Sequence, residues 1–340
     1  ESSTAPFKQE TLVAMVLAER GDELTSAEGP PSQDLSTETI PFVDVQQYLS
    51  DLGLPVPAIE YVDLDLGVLL LEDLGDETFE DVYREVAENA ARESNPGPNS
   101  EIVGLYRGPI DLLVDAQSSF LADRHSETRP TEEACVCWRR TFDRETLRWE
   151  LDHYREWGLS ARRDDRLDGS TRTALDEQFD RVVDALRALP TIPVFRDYQS
   201  RNLMRSDSTE NADPWVLIDF QDALVGPFVY DLVSLLRDSY VELETTLVSR
   251  LVQYYTESGQ TADLPWCDAP GAVSRAFHLQ TIQRKLKDAG RFVFLDREKN
   301  NPDFLQYYDR SVRYVDRALG ALEGWGDLRE LLHEVEPSLD

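Results

Sequence analysis

Apolar residues come in short blocks near the start of the chain and at helical spacing after it. Leu12 to Leu17 is an unbroken run, LVAMVL, of strand length. From Gly21 to Thr39 the pattern gives way to acids, Gly, Pro, Ser and Thr, the composition of a loop. Pro41 to Leu52 has helical spacing, with proline in the first turn and Gly53 as the stop. Ala58–Val62 and Val68–Leu71 predict two strands joined by a turn over Asp63–Gly67, and Glu72-Asp73-Leu74-Gly75 ends the second. Helical spacing then predicts helices over 78–92, 99–122 (with Pro109 as a bend), 131–158, 170–189, 229–255, 269–291 and 302–323. Between 189 and 229 lie two short strands, Leu203–Met204 and Val216–Ile218, separated by the polar stretch Ser206–Asp213. The pattern predicts an α+β chain with a small β-containing N-terminal lobe, 1–73, and a large, mainly helical C-terminal lobe, 74–340. No repeat period is present.

Composition narrows the function classes. The 340 residues are 41% apolar, ordinary for a folded chain. No apolar run reaches the roughly 18 residues that span a bilayer, and no leader pattern is visible, so a cytoplasmic protein is expected. The net charge is −32, from 66 acids against 34 bases, which repels nucleic acid and anionic membrane. The only lysines are Lys8, Lys285, Lys287 and Lys299. The acids are spread along the whole chain, as in a solvated surface suited to a salty cytoplasm, rather than gathered into a cleft for a cationic substrate. Cys135 and Cys137 form a C-x-C with Cys267 far away, and the second pair that a zinc site needs is missing. They read as reduced, structural thiols. The four histidines show no metal-ligand spacing.

The chemistry is concentrated between Phe195 and Asp231. Asp197 stands five residues before Asn202, and Asp219 ends the run Trp215-Val216-Leu217-Ile218. Metal-assisted phosphoryl transfer needs an Asp that orients the attacking hydroxyl and takes its proton, with an Asn and a second Asp on the magnesium. Mg²⁺ favours hard oxygen ligands, which one carboxylate, one amide oxygen and the phosphates of ATP supply. D-x-x-x-x-N, then D after a strand, is the catalytic-loop and metal-loop pattern of the kinase fold. Asp222 is a candidate for contact with a metal-bound water or substrate, or for a loop cap. Asp231 opens the helix YDLVSLLRD and reads as a structural tie between loop and helix. Gly226-Pro227 reads as a turn.

Three segments together, RDYQSRNLM (196–204), IDFQDA (218–223) and Gly226-Pro227 with YDLVSLLRD (230–238), resemble the aminoglycoside phosphotransferase superfamily. Its branch of anomeric amino-sugar kinases in cell-wall recycling is the most similar. VLLLEDLG (68–75) resembles that branch's hinge between lobes. ELDHYREW (150–157) and QRKLKDAGRF (283–292) resemble two of its helices. The resemblance implies a protein-kinase-like fold and ATP with Mg²⁺ as cofactors. Asp197 would be the base, Asn202 and Asp219 the metal ligands. The backbone of Glu72, Asp73 and Leu74 would meet the adenine, and the hydroxyls of Ser3 and Thr4, beside Ser2, the phosphates. Glu150, His153 and Trp157 would face the sugar. By location alone, Arg237, Arg284 and Lys285 are candidates for the cation that a muramyl carboxylate needs. The implied activity is phosphorylation of the anomeric hydroxyl of N-acetylmuramate or N-acetylglucosamine by a monomer. The rivals are a kinase of an aminoglycoside, choline or homoserine, and a nucleotide-binding module without catalysis. The chain departs from the superfamily at Phe195 and Gln199, where histidine is frequent. LVAMVL also has no lysine for the phosphates.

Overall fold

Strands β1 (Leu12–Val16), β2 (Ile59–Asp63) and β3 (Val68–Glu72) form an antiparallel sheet in the order β1-β3-β2. The computed structural model describes residues 11–17, 40–92, 98–124, 135–162, 167–206 and 214–339. β3 is central because its alternation buries Leu69 and Leu71. Leu12 pairs with Glu72 and Val16 with Val68, while β2 slips by one residue between Ile59 and Tyr61. The β2–β3 turn closes as expected. Asp63 Oδ1 accepts from the amides of Asp65 and Leu66, and Gly67 adopts φ +64°.

Helix α1 (Pro41–Asp51) ends at Gly53, whose φ of +76° favours glycine. Its apolar face is buried against later parts of the chain. Phe42 stacks on Phe220 at 5.0 Å, Tyr48 Oη donates to Asp123, and Asp44 accepts from the Val136 amide. Further helices are α2 (Phe79–Arg92), α3 (Pro98–Arg124), α4 (Arg144–His153), α5 (Gly169–Arg187) and α6 (Tyr230–Leu236). They are followed by α7 (Thr245–Thr261), α8 (Ala272–Lys299), α9 (Tyr308–Gly320) and α10 (Gly326–Val335). Two small ladders join them: β4 (Thr191–Val194) with β7 (Leu224–Pro227), and β5 (Leu203–Arg205) with β6 (Trp215–Leu217). The Leu217 amide donates to the Pro55 carbonyl, tying β6 to the segment after α1.

The 28-residue α8 is the axis of the helical part and is buried on most of its faces, polar Gln280, Gln283, Arg284 and Lys285 included. At Gly290 it touches the end of α4 backbone to backbone. A Cβ there would lie 2.7 Å from Tyr154 Cα and 3.0 Å from the His153 carbonyl oxygen. Among the described residues no helix is long and apolar enough to cross a membrane.

Four sequence expectations need correction. The helix expected over 131–158 is, in its described part, a 3-10 turn (Val136–Trp138) followed by α4, which Asp143 caps by accepting from the Thr146 amide. α4 then runs into a π-helical segment, Tyr154–Ala161. The helix expected over 229–255 breaks after Leu236, because Asp238 leaves helical geometry to accept from the Ser200 and Tyr240 amides. The helix expected over 302–323 begins as a 3-10 segment, Pro302–Tyr307. Gly226-Pro227 is strand rather than turn. Gly226 faces Ile192, and a Cβ on it would meet Phe142 Cδ2 at 2.8 Å. Strand β4 and helix α10 are unannounced by the hydrophobic pattern.

Candidate active site

The loop after β4 is held from behind. Asp231, buried in the first turn of α6, accepts from the amides of Phe195 (2.7 Å) and Arg196 (3.1 Å). These bonds support Arg196 at φ +71°, a left-handed conformation that costs a non-glycine residue about 1–2 kcal/mol. Ser234 Oγ and Arg284 Nη1 both donate to the Arg196 carbonyl, at 3.0 and 2.8 Å. Asp238 takes the Ser200 amide at 2.8 Å. Two helices, α6 and α8, thus fix the loop that carries Asp197, and Asp231 is the structural tie expected of it.

Asp197, Asn202, Asp219 and Asp222 line one cavity of about 300 Å³. Asn202 Nδ2 donates to the Asp197 carbonyl (2.9 Å) and to Asp219 Oδ2 (3.2 Å). Gln221 Nε2 donates to Asp219 Oδ1 at 2.8 Å. Arg284 Nη2 and Gln199 Nε2 both approach Asp197 Oδ1, each at 3.4 Å. Burial raises the Asp219 carboxyl above its usual range against the Gln221 amide bond, and the like charges of Asp197 and Asp222 add to the rise. A carboxylate so placed favours a cation. With its amide nitrogen committed as donor, Asn202 has its side-chain oxygen left to accept. The two side chains fit a magnesium ion.

The remaining expected residues separate. His153 lines the same cavity. Trp157 does not line it. It packs edge-on against Phe294 at 5.1 Å, whereas Trp149 lines the cavity and stacks on His153 at 5.3 Å. Glu150 is fully buried behind the wall, where it accepts from Gln283 and faces Arg196 at 3.8 Å, so the expectation of direct sugar contact is corrected. Arg237 is also corrected. It is buried between Tyr314 and Phe277 and borders a different cavity. Arg284 is spent on the loop and Lys285 on Ser239 and Asp288. The cations on the cavity wall of α8 are Lys287 and Arg291, one turn apart. Sequence reasoning missed them, although their four-residue spacing is visible in KLKDAGR. The Glu72 amide donates to the Ala58 carbonyl at 2.9 Å and its carboxylate accepts from the Ala58 amide, while Asp73 caps the Gly75 amide. Ser3 and Thr4, with Ser2 and Lys8, lie outside the described residues.

His153 gives this wall a pH signature. It is 8% exposed, and burial, then Arg291 and Lys287, push its imidazole down to about 4. It is neutral in both states above the ordinary histidine range. As pH falls below about 6.5 the unfolded chain takes the proton first, so stability is lost down to the folded value, at most about 1.4 kcal/mol per unit. His153→Gln is expected to flatten the fall in melting temperature between pH 6.5 and 4.5. An unchanged slope would place the titration elsewhere.

The chain matches the phosphotransferase enzyme family over residues 10–269. It is 33% identical over 307 residues to an N-acetylmuramate/N-acetylglucosamine kinase of Neisseria meningitidis serogroup B, covering 88% of this chain and 81% of that one. A protein of the same description from Pseudomonas aeruginosa is 31% identical over 309 residues, covering 91% and 81%. Among solved structures, a choline/ethanolamine kinase family protein from Mesorhizobium loti is similar at 14% identity over 85% of this chain and 80% of that one, with a TM-score of 0.49.

Proposed function

The chain belongs to the phosphotransferase enzyme family, and from that premise we propose that it transfers the terminal phosphoryl group of ATP to the anomeric hydroxyl of N-acetylmuramate or N-acetylglucosamine. The observation that carries this reading is the meeting of Asp197, Asn202 and Asp219 in one cavity. Nucleotide would lie between the lobes 1–73 and 74–340, with Glu72–Leu74 at its base. Asn202 and Asp219 would hold Mg²⁺, which supplies charge neutralisation on the phosphates. Asp197 works through its second oxygen. Arg284 and Gln199 gather at Oδ1, leaving Oδ2 to orient the sugar hydroxyl and take its proton. A hemiacetal hydroxyl is more acidic than an ordinary alcohol, so a plain carboxylate suffices as base. Trp149 offers an aromatic face to a sugar ring, and Lys287 with Arg291 offers cations to a lactyl carboxylate.

A coupled assay of ADP release tests this with N-acetylmuramate, N-acetylglucosamine, kanamycin and choline side by side, with and without Mg²⁺. ADP release is expected with the amino sugars alone and only with the metal. Turnover confined to kanamycin or choline, or independent of any acceptor, would overturn it.

A further inference from the structure

A second cavity, of about 380 Å³, lies between the end of α6, one face of α7 and the first turns of α8. None of its lining residues borders the Asp197 cavity. Arg237 is on its wall and is 2% exposed. Its Nε and Nη1 are buried and have no hydrogen-bond partner, and no carboxylate among the described residues pairs with it. Its neighbours are aromatic faces, Tyr314 at 4.7 Å and Phe277 at 5.6 Å from the guanidinium carbon. A buried guanidinium is retained in proteins by a matching anion or a set of acceptors, because leaving it unpaired is strongly unfavourable. Burial accordingly pulls Arg237 down to about 10.

The rest of the wall points to the same missing charge. His278 Nδ1 is also buried without a partner, and burial and the nearby Arg237 lower its imidazole. Gly271, Val273 and Ser274 bring the first turn of α8 to the cavity, and no side chain caps that helix end. It therefore adds the positive end of a long dipole. The one acid on the wall, Glu257, is engaged by Gln253 Nε2 at 2.8 Å. Thr245, Ser249 and Gln260 surround the space with polar groups. The volume is at the low end for small-molecule sites.

We propose that Arg237, His278 and the first turn of α8 form a binding site for a small oxyanion, a phosphate or carboxylate carried on a molecule of up to monosaccharide size. The site bears on the catalytic loop. α6 carries Asp231 in its first turn, and Arg237 and Asp238 follow directly after its last residue, Leu236. α8 carries Arg284 six residues beyond His278. An occupant would brace both helices that hold Asp197 in place.

Thermal melting of the full chain without nucleotide, at constant ionic strength, tests the site with inorganic phosphate, glucose 6-phosphate and gluconate. At least one probe is expected to raise the melting temperature saturably by about 3 °C or more at high occupancy. The response should disappear in Arg237→Met and in Ser274→Glu. Ser274 is exposed on the first turn of α8, so its replacement leaves the fold intact even if the arginine variant does not fold. A glutamate there offers Arg237 a competing carboxylate. Phosphate against gluconate separates a phosphoryl from a carboxylate ligand. No saturable rise with any probe, or an equal rise in Ser274→Glu, would overturn the proposal.

Discussion

Asp197→Asn lowers turnover roughly 100- to 10,000-fold, the range for losing a positioned proton acceptor, and leaves nucleotide affinity within about threefold. The exchange keeps the size of the side chain and can still present an oxygen to Arg284 and Gln199. What it removes is the second carboxylate oxygen, and an amide nitrogen there cannot take a proton from the sugar. Asn202 hydrogen-bonds the Asp197 carbonyl rather than its carboxylate, so Asn202 and Asp219 stay in place. Steady-state turnover with calorimetric titration of ATP separates the two effects. Turnover within tenfold of the parent would remove Asp197 from the chemistry.

Asp219→Asn has the second large effect, and it acts in two directions. Losing charge neutralisation worth several kcal/mol at the transition state lowers turnover about 100- to 1,000-fold. The metal-free protein, by contrast, should melt at or above the parent temperature near pH 7. The folded carboxyl sits above its ordinary range because of burial and the charges of Asp197 and Asp222. Its contribution is therefore full below the ordinary carboxylate range and is lost as pH rises through the folded value. Asparagine does not ionise and avoids that loss, so its advantage should shrink towards pH 3 to 4. Melting curves across pH without divalent ions read this directly. A variant several degrees less stable at pH 7 would mean that the carboxylate supports the fold.

What could be read from the sequence was what is written locally. The β2–β3 turn, the α1 stop at Gly53 and the Asp197–Asn202 spacing each rest on a few adjacent residues, and the structure carries all three. The walls of the cavity rest on docking between distant segments. α8 is buried on most faces, so its hydrophobic pattern has no single apolar stripe from which to read its rotation. Arg284 and Lys285 could not be told from Lys287 and Arg291 for that reason. In ELDHYREW the π-helical segment starts at Tyr154 and turns later side chains away from α-helical phase. Trp157 therefore leaves the cavity that Trp149 faces. Asp238 and Gly226 illustrate the same limit, since a helix break and a strand were set by partners about 38 and 34 residues away.

The contact at Gly290 has a consequence for acceptor choice. Trp149 and His153 come from α4 and Lys287 and Arg291 from α8, and the two supporting backbones meet at a hydrogen atom where any other residue would place a carbon. The spacing of those two pairs of side chains is thus set by a position that does not line the cavity. Adding one methyl group there would push α4 away from α8 like a shim, changing the shape of the cavity they share while every side chain on its wall keeps its chemistry.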